Sequence, residues 1–155
     1  MAMIGYVGVK IIHIVSAALL MGAVLGSIAY PVWSYYRKDL TIILYSNQYA
    51  VYADNVMAVM GLLQLITGFM LIGIHSILLS SSQWMVIGLG YGLAGFCGLS
   101  AMYWQIRCRD KAIAIKAGKG LLKEYRYCLL VKCLFSLVML ISLVVIIECM
   151  TRIAK

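Results

Sequence analysis

The sequence predicts an all-α protein: a four-transmembrane-helix bundle with both termini outside the cytoplasm. Three observations predict it. First, 65% of the 155 residues are hydrophobic and only 12% are charged, with a mean hydropathy of +1.00. Soluble domains carry about a quarter charged residues, and a chain this short cannot hide so much apolar surface in its own core. Second, the apolar residues fall into four runs, each longer than the ~20 residues that cross ~30 Å of hydrocarbon as a helix. Third, the charge is lopsided. The net charge is +8, and seven of the 13 Lys and Arg residues lie between Arg107 and Arg126.

The first span covers about residues 4–33. Lys10 is its first charge, so no basic region precedes it as in a signal peptide. His13, Ala17 and Leu20 share one face, and Ala18, Gly22 and Gly26 lie roughly opposite. Gly22 and Gly26 form a G-x-x-x-G pair, which lets helices approach closely within the chain or in a homodimer. The segment 34–50 follows, carrying Arg37 and Lys38, with an apolar centre suited to the membrane interface. The second span covers about 51–79. Gly61, Gln64, Gly68, Leu71 and His75 fall in a narrow arc bordered by Thr67. A small, polar arc should face other helices rather than lipid. Residues 80–83, SSSQ, read as a tight uncharged turn.

The third span, about 84–106, is rich in glycine but lacks the Lys-Ser/Thr of a phosphate loop. A basic cytoplasmic loop, 107–126, leads to the fourth span, about 127–150. Trp33, Trp84 and Trp104 fall near span ends, as interfacial anchors do. One proline and no long polar linker argue for a single integral membrane domain over 1–155. The first and third connections hold nine basic residues, so the positive-inside rule places them in the cytoplasm, beside anionic headgroups. No aromatic-basic interleaving or reader motif accompanies them, so nucleic acid is not an expected partner. The five cysteines show no C-x-x-C and no disulfide framework, and read as apolar fillers.

Ionisable groups inside a membrane are the functional candidates. His13 and His75 are the only imidazoles in the chain, and neutral imidazole ligates haem and metals. Haem b held by His13, alone or with His75, is therefore the cofactor expectation. Bis-ligation requires both rings at one depth, which fails if the first span begins near residue 4. The alternative is a histidine hydrogen-bonded between helices. His13, His75, Met85, Cys149 and Met150 offer soft ligands for Cu(I), though methionine is also an ordinary core filler. Asp54 and Asn55 are expected to form an inner-side polar clamp with Arg107 or Arg109. Lys132 is expected to snorkel toward the same interface, and Glu148 to be solvated or paired with Arg152. The absence of nucleophile motifs argues against hydrolytic chemistry.

Gln64-Leu-Ile-Thr67-Gly68, Gln83-Trp84, Trp104-Gln105-Ile-Arg107-Cys-Arg109-Asp110-Lys-Ala112 and the opening Lys10-Ile-Ile-His13-Ile resemble the DUF2269 family of bacterial integral membrane proteins. The resemblance implies a multi-pass protein of the bacterial inner membrane and supplies no activity. Lys10-x-x-His13 also resembles the first span of HemJ-type protoporphyrinogen oxidases and, more loosely, CopD-like copper proteins. In the HemJ type that histidine is implicated in haem binding. Ile87 and Gly88 stand where the HemJ-type lysine follows the tryptophan, and no histidine lies in the third span, so the catalytic set does not carry over. The expected role is a non-enzymatic membrane subunit or scaffold, with haem on His13. A HemJ-like redox or porphyrin-handling enzyme and a copper-binding protein are the alternatives.

Overall fold

The computed structural model describes residues 2–75, 81–119 and 122–153, with the side chains of 5–74, 81, 83–119 and 122–149. Four helices follow one another: α1 (Ala2–Arg37), α2 (Leu40–His75), α3 (Ser81–Lys116) and α4 (Leu122–Ile153). All four are long and apolar enough to cross a membrane. The chain is thus an all-α, multi-pass bundle, with no strand among the described residues.

The helices outrun the spans read from hydropathy. Each of the first three has 36 residues, about 54 Å at 1.5 Å per residue, against ~30 Å of hydrocarbon. Most of 34–50, expected as an interfacial connection, is the start of α2. The expected basic loop 107–126 is mostly α3 running on to Lys116 and α4 beginning at Leu122. Ser81 to Gln83 open α3 instead of forming a turn, and residues 76–80 lie outside the described residues. Hydropathy marks where a helix meets lipid, not where its hydrogen bonding stops.

Local chemistry sets the two described connections. Lys38 takes a left-handed φ of 55°, and Asp39 then caps α2, its Oδ1 accepting from Thr41 N at 2.8 Å and Ile42 N at 3.4 Å. This is the N-cap geometry that satisfies free amides of the first turn. Gly118, at φ 71°, ends α3 in a Schellman arrangement, with Gly118 N donating to Ile115 O and Lys119 N to Ala114 O. Glycine holds that φ without a Cβ clash.

Each helix buries one stripe at helical spacing: Ser16, Leu20, Val24 and Ser27 in α1; Ala50, Asp54, Met57 and Gln64 in α2; Ala94, Cys97, Ala101 and Gln105 in α3; Leu129, Lys132, Ser136 and Met139 in α4. Small residues and hydroxyls let helices approach where lipid offers no hydrophobic drive. α1 packs mainly on α2 and α3 on α4. The two hairpins meet mostly through α2 and α3, and least through α1 and α4.

Two apolar clusters form the interior. One gathers Leu20, Val24, Met57, Ala94, Met139 and Leu143. The other lies at the basic end, around Ile43, Cys108, Tyr125 and Cys128. The outer faces carry exposed Ile, Leu, Val and Phe side chains such as Ile14, Leu62, Leu99 and Leu134. Trp84 and Trp104 stand 20 residues apart on one helix, about 30 Å, matching the hydrocarbon thickness. Around Trp104 and Trp33 runs an aromatic belt that includes Tyr30, Tyr49, Tyr103 and Tyr127. The basic ends of the helices therefore project past this belt.

Candidate functional site

Two polar layers cross the bundle, one on each side of the first apolar cluster. The one nearer the chain termini is built on His13. Its Nδ1 lies 2.8 Å from Thr67 Oγ1 and its Nε2 lies 2.9 Å from Gln64 Nε2. Thr67 donates its own hydroxyl proton to Leu63 O at 2.7 Å, so it accepts from His13 Nδ1–H. Gln64 Oε1 accepts from Ser16 Oγ at 2.7 Å, which turns its amide nitrogen toward His13 Nε2. The donors and acceptors close consistently around a neutral ring protonated at Nδ1. Gly68 completes the fit: a Cβ there would stand 3.4 Å from His13 Cε1 and 3.8 Å from Tyr91 Oη.

This arrangement engages both ring nitrogens. As axial ligand, His13 would have to give up Thr67 or Gln64, so the residues present do not fit a haem iron as they stand. The His75 side chain lies outside the described residues. Its backbone stands eight residues beyond Thr67 on α2, about 12 Å of axial rise. With α1 beginning at Ala2, His13 lies well inside the bundle, and the two positions differ in depth. Among the described residues no group of three or more His, Cys, Asp or Glu side chains converges. The Met150 side chain also lies outside the described residues.

The layer nearer the basic end is larger, and the sequence concealed its centre. Lys132 is fully buried, not snorkelled to the headgroups. Its ammonium donates to Ser27 O at 2.6 Å and to Gln105 Oε1. Pro31 explains the first bond. Proline has no N–H, so inside α1 it leaves the carbonyl four residues earlier, that of Ser27, without its helical donor. Membrane helices tolerate proline when a neighbouring helix satisfies the freed group, and Lys132 of α4 does so here. Gln105 Nε2 in turn donates to Asn47 O and Oδ1, both at 3.1 Å. Asn47 Nδ2 donates to Tyr125 Oη at 2.8 Å and Ile43 O at 2.7 Å. One chain of bonds thus ties all four helices. Pro31 was the readable signal for it; nothing in the sequence points to Tyr125.

Asp54 belongs to this layer. It is buried, its carboxylate oxygens make no hydrogen bond, and its polar neighbours are Lys132 and Ser27. The expected clamp to Arg107 and Arg109 does not form. Arg107 bonds Tyr103 Oη at 2.7 Å and Arg109 pairs with Asp110 at 3.1 Å, both at exposed positions. Asn55 is exposed, one residue round the helix from the buried stripe. The cation whose charge acts on Asp54 is Lys132, held inside the bundle by acceptors on α1 and α3.

The packing glycines divide. Gly68 packs against His13 and Tyr91, whereas a Cβ at Gly22, Gly26 or Gly61 would meet nothing within 4 Å. Gly22 is exposed and Gly26 half-buried beside Tyr45 and Tyr49 of α2, so the G-x-x-x-G pair has no close helix partner among the described residues. Gly61 lines a cavity of about 260 Å³ between α2 and α3, beside Gln64 and Tyr91. The described cysteines are free, with Cys97, Cys108 and Cys128 buried as fillers.

No curated protein and no solved structure matches the chain. A family model described as a predicted integral membrane protein matches residues 7–153. The chain belongs to that family, DUF2269.

Proposed function

We propose that the protein is a non-enzymatic multi-pass subunit or scaffold of the bacterial inner membrane, in which His13 is an interhelical strut. The observation that carries this reading is the engagement of both imidazole nitrogens, by Thr67 and Gln64, with Gln64 held in turn by Ser16. A ring kept as an iron ligand needs one nitrogen open to the metal; both nitrogens of this ring are taken by neutral side chains. The nine basic residues at the ends of α1 to α4 support a cytoplasmic position for that end and an outer position for both termini. The Gly22–Gly26 face supports a second membrane helix as partner, from another copy of this chain or another subunit.

Removing the ring tests the reading. His13→Ala leaves Thr67, Gln64 and Ser16 to pair among themselves, and interhelical hydrogen bonds in membranes average ~0.6 kcal/mol and reach ~1.7. A strut predicts a loss of about 1–2 kcal/mol in reversible unfolding and an unchanged visible spectrum. A Soret band in the parent protein that His13→Ala abolishes would overturn it in favour of haem b.

A further inference from the structure

Between α2 and α3, past the aromatic belt, lies an open cleft of about 600 Å³. From these observations we infer that it is a binding site for one anionic phospholipid. Tyr45, Gln48 and Tyr52 of α2 follow one another at helical spacing along one wall, and Arg109 and Lys116 of α3 stand along the other. Leu44, Val51 and Ile113 supply the apolar surface between them. The cleft thus combines two cations, phenolic and amide groups, and apolar lining at the level where phospholipid headgroups meet acyl chains. Basic pockets between helices at this level suit phosphodiester headgroups, and arginine offers a planar fork that matches phosphate geometry.

The charge balance favours an anion over a zwitterion. Lys116 has no ion pair among the described residues, and Arg109 shares its cation only with the exposed Asp110. Of the other exposed acids at this end, Glu124 is taken by Lys111 and Asp39 is engaged in capping α2. The inference does not depend on the role of His13.

Native mass spectrometry of the full chain in mild detergent tests it, with phosphatidylglycerol or phosphatidylcholine added. The wild type should retain one phosphatidylglycerol and no phosphatidylcholine. Arg109→Gln with Lys116→Gln should weaken retention about thirtyfold, and Lys116→Gln, which breaks no ion pair, about fivefold. Lys123→Gln with Arg126→Gln removes the same charge from the exposed face of α4 and should change retention little. Equal weakening by both double variants would overturn the site, leaving only diffuse attraction to the basic end. Equal retention of phosphatidylcholine would overturn the requirement for an anion. Displacement of the lipid by millimolar inorganic phosphate would overturn the lipid as occupant in favour of a free anion.

Discussion

Lys132→Met should be among the most damaging single substitutions in the protein, and Pro31→Ala should relieve part of the damage. The ammonium donates to Ser27 O and Gln105 Oε1 in a fully buried setting. Hydrogen bonds to charged groups contribute about 1.5–3 kcal/mol each, and leaving a buried acceptor unmet costs about 1–3. The substitution also leaves Asp54 without its nearest cation. The total should fall near the 3–5 kcal/mol seen when one partner of a buried charged set is removed. Alanine at 31 restores an N–H that can donate to Ser27 O, so in that background the Lys132→Met penalty should shrink by about 1–2 kcal/mol. A double-mutant cycle in mixed micelles, unfolding with SDS and following far-UV circular dichroism, measures the coupling. Additivity within about 0.5 kcal/mol would refute the claim that the lysine replaces the donor that proline lacks.

Other substitutions test separate parts of the account. A Cβ at Gly90 would lie 2.7 Å from Ile146 Cγ1, so Gly90→Ala should destabilise by about 1–3 kcal/mol, while Gly92→Ala, with open space around it, should not; thermal unfolding in detergent compares them. Asp39→Ala removes the cap of α2 and should cost about 1 kcal/mol in the same assay. Cysteines introduced at Ser81 and Lys155 in a cysteine-free background should label from outside intact cells, and one at Lys119 should not; labelling at 119 would reverse the orientation. If the Gly22–Gly26 face makes a dimer, Gly26→Ile should convert dimer to monomer in size-exclusion chromatography with light scattering. A parent protein already monomeric would end that proposal.

Much of this architecture was legible because lipid makes a simple demand on sequence. Backbone groups must be satisfied within each span, so four apolar runs mean four helices. The arc of Gln64, Thr67 and Gly68 was legible too, since polar groups in a span turn inward, and it meets His13 as an inward face should. Helix ends were not legible, because residues 45–49 and 107–116 are polar enough to interrupt the apolar runs yet continue the same hydrogen-bonded ladder. Lys132 was misplaced for a related reason. A lone lysine near a span end ordinarily reaches for water, and only the Pro31–Ser27 relation reveals an acceptor waiting inside. The pairings of Asp54, Gln105 and Asn47 depend on which helices are neighbours, and periodicity on one helix carries no such information.

The state of His13 decides between a strut and a cofactor site, and one absorption spectrum reads it most directly. Protein produced with ample haem and purified gently should show no Soret band, because Thr67 and Gln64 already hold both ring nitrogens. A Soret band that disappears in His13→Ala would contradict the account.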